Sequence, residues 1–130
     1  MDVNASDLVA FDLFSGPTPD QLDSCAALFS EQRVLMGERL TEKDDFSYSL
    51  FLVLDGAVKV SVDGDVVATL GSGDYFGEVG LVRGERRNAE VMATETCRVA
   101  KLMTWDFEKL TETHPALAER LEAKAAERGG

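Results

Sequence analysis

Apolar residues recur along this chain with two different spacings, and the change of spacing divides it into three. In the first part the pattern is helical. Thr18-Pro19-Asp20-Gln21 places a capping hydroxyl before a proline, with a glutamine three residues after the cap. Leu22, Cys25 or Ala26, and Phe29 then follow at the spacing of one helix face. Upstream, Leu8, Val9, Phe11, Leu13 and Phe14 predict a short helix or an irregular apolar segment, which Gly16-Pro17 separates from the helix after it.

The middle part switches to a period of two. Ser47 to Leu54 is rich in strand-forming residues, and Val58, Val60 and Val62 alternate with Lys59 and Ser61. Val66 to Leu70, Glu90 to Ala93 and Arg98 to Met103 read as further strands. Asp55-Gly56 and Asp63-Gly64 each stand between apolar runs and each predict a hairpin. Gly71-Ser72-Gly73-Asp74 predicts another turn. About seven or eight short strands at this spacing imply an antiparallel sandwich or barrel. The last part is helical again. Phe107 and Leu110 share a face, and Pro115 opens a helix with Leu117, Leu121 and Ala125 on one side.

Composition narrows the class. The 130 residues fit one domain, here divided as helices over 1–30, strands over 31–103 and helices over 104–128. Cys25 and Cys97 are too few for a disulfide framework and lack the close spacing of a zinc site. His114 is the single histidine, which excludes metal-dependent or nucleophilic catalysis built on histidine clusters, so no enzyme is expected. No apolar run reaches the length of a membrane span and the start shows no secretion signal, so a reducing cytoplasmic setting is expected.

The net charge of −11 argues against a nucleic-acid partner. The charge is uneven: residues 1–32 carry six acids and no lysine or arginine, while 83–103, with Arg83, Arg86 and Arg87, is the one stretch with a positive balance. A small anion would be held there.

That stretch joins a segment, Phe76 to Val91, that fits neither strand nor ordinary turn. Gly77 and Gly80 permit close backbone approach, and Glu78 to Val82 can form one helical turn with exposed N–H groups. Arg87 follows nine residues after Glu78. A guanidinium matches phosphate oxygens in pairs, and a carboxylate accepts from sugar hydroxyls. One acid, one arginine and free amides make an inventory for a sugar phosphate. The plainer reading is a structural ion pair across the loop.

Phe76-Gly77-Glu78-Val79-Gly80-Leu81, followed by Arg87-Asn88-Ala89, resembles the phosphate-binding cassette of cyclic nucleotide-binding domains. Gly37-Glu38, Glu42, Asp44, Leu52-Val53-Leu54 with Gly56 and Val58, and Gly73-Asp74 are similar to the pattern ahead of that cassette. The resemblance runs from about Leu13 to Leu121. It implies a mainly β, α+β architecture: a double-stranded β-helix (jelly-roll) sandwich of about eight strands, flanked by N- and C-terminal helices.

It implies a cyclic nucleotide, cAMP or cGMP, as ligand, with no cofactor and no metal. Glu78 would accept from the ribose 2′-hydroxyl and Arg87 would pair with the exocyclic phosphate oxygens. The N–H groups of Val79, Gly80 and Ala89 would face phosphate or ribose, Gly77 would belong to the ligand-binding set by letting the backbone approach closely, with a plain turn glycine as the alternative, and Leu81 would relay occupancy. Asn88 stands where the family often has Thr, Ser or Ala, with cAMP favoured over cGMP. The terminal helices would carry the output, to a protein partner or to a second copy through the C-terminal helix, with no membrane and no nucleic acid involved.

Three positions depart from the family: Arg86 replaces a proline, Glu90 a small residue and Lys43 a glycine. A Glu90 directed into the pocket would repel the ligand, and the alternative is then an interaction module on the same scaffold with a degenerate pocket. Arg83 and Arg86 are expected as solvated loop charges. Tyr75 and Phe76 are expected as core anchors, Trp105 as a helix-to-sheet contact, Cys25 and Cys97 as small buried hydrophobes, and His114 as a helix-start residue without chemistry. The acidic first third is expected as a solvated face.

Overall fold

A computed structural model describes residues 3–41, 49–78, 81 and 89–129. The chain begins with a one-turn helix, α1 (Ala5–Leu8), a 3-10 turn (Asp12–Phe14) and α2 (Pro19–Ala26). Eight strands follow: β1 (Ser30–Val34), β2 (Arg39–Thr41), β3 (Leu50–Asp55), β4 (Ala57–Val62), β5 (Asp65–Gly71), β6 (Tyr75–Phe76), β7 (Glu90–Ala93) and β8 (Cys97–Leu102). Two helices, α3 (Thr104–Thr113) and α4 (Pro115–Gly129), complete the described order.

The start of α2 follows from its sequence. Thr18 Oγ1 accepts from the Gln21 N–H at 3.3 Å, and Gln21 Oε1 accepts from the Thr18 N–H at 2.8 Å. This reciprocal pair satisfies two donors that a helix start otherwise exposes, and Pro19 occupies the first turn, where its missing N–H costs nothing.

The strands form two four-stranded antiparallel sheets, β1-β8-β3-β6 and β2-β7-β4-β5. Of consecutive described strands, β4 and β5 alone share a sheet; every other step carries the chain from one sheet to the other. Asp63-Gly64 is a true two-residue hairpin, with both residues at positive φ (52° and 87°) and Val62 opposite Asp65. Asp55-Gly56 is not a hairpin, against the sequence expectation. β3 pairs with β8 and β6, whereas β4 pairs with β5 and β7, so this Asp-Gly is a corner between sheets.

Two cores result. Phe51, Val53, Val58, Val91, Ala93, Cys97 and Val99 fill the space between the sheets. Leu50, Leu52, Leu54, Ala100 and Leu102 turn to the other face of the first sheet and pack against Phe11, Leu13, Leu22, Leu110, Leu117 and Leu121 of the helical segments. β3 and β8 are thus covered on both faces, which is why β3 reads as an unbroken apolar run instead of an alternation. β1 (sequence Ser-Glu-Gln-Arg-Val) lies at the edge of its sheet with little apolar signal, so periodicity does not find it.

Trp105 differs from expectation: it is 62 % exposed and does not pack on the sheet. Cys25 and Cys97 are buried thiols. Burial pushes Cys25 up to about 12, which keeps it protonated and inert as a nucleophile at neutral pH. The acidic first third is only partly a solvated face. Asp7 and Glu31 turn to Arg98 of β8, which also donates to Asp55 at 2.9 Å. The hydrogen bonds it donates, to Glu31 first and then to Asp55, hold that guanidinium even more firmly protonated than usual.

Candidate functional site: the segment after β6

β6 delivers the candidate segment. It is two residues long, but its register is secured by β3, with Leu52 opposite Tyr75 and Phe51 opposite Phe76. The Phe51 and Phe76 rings stack with centroids 5.1 Å apart and planes inclined by 17°. Lys101, from the neighbouring β8, holds its Nζ 5.6 Å from the Phe51 centroid. Tyr75 is buried on the opposite side, toward the helices. Both residues anchor the segment to the core, as expected.

The chain then turns sharply. Gly77 has φ of 95°, a conformation that a side chain disfavours. The Leu81 N–H donates to the Gly77 carbonyl at 3.0 Å, closing one helical turn over Glu78 and Leu81, again as expected. This turn directs Glu78 inward. Its side chain is 2 % exposed, and it is the single buried acid among the described residues. Burying a carboxylate is costly unless a polar partner compensates it, so packing alone does not account for an interior glutamate. Leu81 is buried in the helix-facing core with Tyr75, Leu110, Leu117 and Leu121. One helical turn therefore carries a buried acid and, three residues on, a contact to the terminal helices.

Ala89 is half-buried just before β7. Glu90 follows, and strand alternation decides its direction. Val91 and Ala93 of β7 point between the sheets, so Glu90 and Met92 occupy the outer face. Glu90 Oε1 lies 3.4 Å from Arg39 Nε there. It lines a cleft of about 300 Å³ with Lys59, Ser61, Asp63, Gly64, Val66 and Met92, on the outside of the second sheet. The repulsion that an inward Glu90 would produce does not arise. Arg39 carries no local signal for this pairing, because the two residues meet only through the β2–β7 ladder.

Of the residues assigned to the site from sequence, Gly77, Glu78, Leu81 and Ala89 are placed by the structure. Val79, Gly80, Arg87 and Asn88 lie outside the described residues, as do Lys43, Arg83 and Arg86. His114 is a helix-start residue, as expected: its carbonyl accepts from the Leu117 and Ala118 N–H groups at the start of α4. It caps the end of α3, and its Nε2 is 3.0 Å from Ser24 Oγ on α2. A cleft of about 430 Å³ opens beside this contact, between α2 and the α3–α4 junction; Glu78 does not line it. Among the described residues no group of three potential metal ligands gathers, and no helix is long and apolar enough to cross a membrane.

Comparison with known proteins places these features in a wider set. The chain is 32 % identical over 94 residues to a cyclic nucleotide-gated potassium channel of Rhizobium etli, a match covering 72 % of this chain and 26 % of the channel. The crystal structure of the Thermus thermophilus catabolite activator protein superposes with a TM-score of 0.82 at 29 % identity, over 89 % of this chain and 57 % of that one. The regulatory domain of Toxoplasma gondii PKA, crystallised with cAMP, superposes with a TM-score of 0.81 at 26 % identity, over 95 % and 48 %. The chain thus spans about a quarter to just over half the length of these relatives. The family model described as cyclic nucleotide-binding domain matches residues 31–114, from β1 through the glycine-led turn to the end of α3. By that match, and by two antiparallel four-stranded sheets between terminal helices, this chain belongs to the cyclic nucleotide-binding domain family.

Proposed function

We propose that this chain is a regulatory binding module and not an enzyme, that it takes a cyclic nucleotide with cAMP favoured over cGMP, and that it signals through its terminal helices. The observation that carries the reading is Glu78, the one buried acid among the described residues, held at the start of a helical turn that opens on a positive-φ glycine. An interior carboxylate is a good acceptor for a ribose hydroxyl. Arg87, nine residues on, is the guanidinium assigned to the cyclic phosphate, with the amides of Val79, Gly80 and Ala89 beside it. Asn88 follows Arg87 and is assigned to the same loop. The outward course of Glu90 removes one argument for a degenerate pocket.

The signalling part of the proposal draws on Leu81. It shares a core with Leu117 and Leu121, so a ligand that shifts the turn also changes the seat of α4. The output partner is then a protein surface or a second copy that reads α4. A ligand moves such an equilibrium only through its different affinity for the two arrangements.

Titration calorimetry with cAMP and cGMP tests the binding. At a hundred times its dissociation constant, ligand is expected to stabilise the fold by about 2.7 kcal/mol, visible as a thermal shift. Arg87→Ala is expected to weaken binding at least about tenfold, through loss of a charge-assisted contact. No shift at millimolar nucleotide would favour the degenerate-pocket alternative. An unchanged affinity in Arg87→Ala would overturn the site assignment.

A further inference from the structure

One side chain of the C-terminal helix makes a polar bridge to the chain at the end of the 3-10 turn. Arg120 of α4 donates through Nη1 to the backbone carbonyls of Leu13 at 2.8 Å and Ser15 at 2.6 Å. A Cβ placed on Gly16 would lie 3.5 Å from Nη2, so the guanidinium sits against the chain where it leaves the 3-10 turn. Carbonyls at the end of a helical turn have no acceptor role within it, and a planar cation that bridges two of them satisfies both.

Packing is open on either side of this bridge. One side is the 430 Å³ cleft, lined by Phe14, Pro17, Leu22 and Leu117 among others. The other is a cleft of about 210 Å³ that includes Asp12, Leu13, Tyr75, Ala123 and Lys124. Arg120 is the one residue that lines both. Dispersion contacts fade within an ångström of separation, so unfilled gaps do little to stop a helix from sliding or rolling. Leu117 and Leu121 of α4 share a core with Leu13, Phe14 and Leu22, and the guanidinium bridge adds a directional polar tie between the two gaps beside that apolar contact.

We propose that Arg120 is a latch that makes the N-terminal segment and α4 one moving unit, so that a displacement of α4 is passed directly to residues 12–16. The signalling meaning of the latch rests on the cyclic-nucleotide reading above; the latch itself needs no ligand. Arg120 is a positioning residue. It is exposed and remote in sequence from the cassette.

Hydrogen exchange of the full chain tests this, comparing the wild-type protein with Arg120→Gln and Arg120→Lys. Without nucleotide, Arg120→Gln is expected to raise exchange about tenfold in both α4 and residues 12–16, with the sheets unchanged; Arg120→Lys, a cation without the planar fork, is expected to fall between. Exchange in α4 within twofold of wild type, or an increase spread evenly over the sheets, would overturn the latch. With saturating cAMP, the wild-type protein is expected to show a change reaching residues 12–16. In Arg120→Gln that change is expected to stop at α4, which a purely structural role would not produce. Transmission to residues 12–16 that survives in Arg120→Gln also overturns it. Should cAMP not bind the wild-type protein, the functional reading fails, and the ligand-free comparison still decides the latch.

Discussion

The two Asp-Gly steps of this protein lie eight residues apart and have opposite fates. At Asp63-Gly64 the chain reverses between two paired strands, and a Cβ on Gly64 would meet nothing within 4 Å. At Asp55-Gly56 the chain leaves one sheet for the other. A Cβ on Gly56 would stand 2.6 Å from the Thr96 carbonyl and 2.7 Å from Cys97 Sγ. Both glycines hold positive φ. The first uses glycine for its backbone freedom alone; the second also uses its lack of a side chain, because β8 passes directly beneath. The dipeptide therefore reports a local conformation. Which strand the chain pairs with next is decided by what else occupies the sheet.

Gly56→Ala is the sharpest way to break this contrast. It combines a strained φ with a clash against backbone, which cannot swing aside, and is expected to destabilise the fold by about 3 kcal/mol or more in denaturant unfolding. The double variant Gly56→Ala with Cys97→Ala is expected to recover little, because the Thr96 carbonyl and the positive φ both remain. A full recovery would mean that the thiol alone forbids a side chain there. Gly64→Ala carries the conformational cost without the clash and is expected to lose about 1–2 kcal/mol. A loss equal to that at Gly56 would erase the contrast. Asp63→Asn is expected to change stability by no more than about 0.5 kcal/mol, since asparagine tolerates the left-handed region as well as aspartate.

Legibility differed by element. α2 was readable because Thr18, Pro19 and Gln21 interact only with one another, so all the information is local. The hairpin at Asp63-Gly64 was readable for the same reason. β1 and β2 were not, because Glu31, Gln32 and Arg39 become strand residues through pairing with β8 and β7, far along the chain. The helical turn over Glu78 and Leu81 was legible from its glycines and from family resemblance. The direction of Glu90 was not, since alternation allows either face until β7 is laid against β4. Trp105 misled for a related reason: an aromatic ring on an amphipathic helix is expected to pack, and the face that α3 presents to the core is set by Phe107 and Leu110 instead.

Local sequence suffices for the order of helices, strands and helices, the capped start of α2, one hairpin, and the Gly-Glu motif with an arginine nine residues on. Each of these rests on groups that are neighbours along the backbone, or on a motif that stays contiguous. Tertiary structure alone decided that Asp55-Gly56 is a corner, that Glu78 is interior, that Glu90 pairs outside with Arg39, and that Arg120 bridges Leu13 and Ser15. Those outcomes depend on which distant segments come to share a surface, and a contact between residues 107 positions apart leaves no periodic trace in either of them.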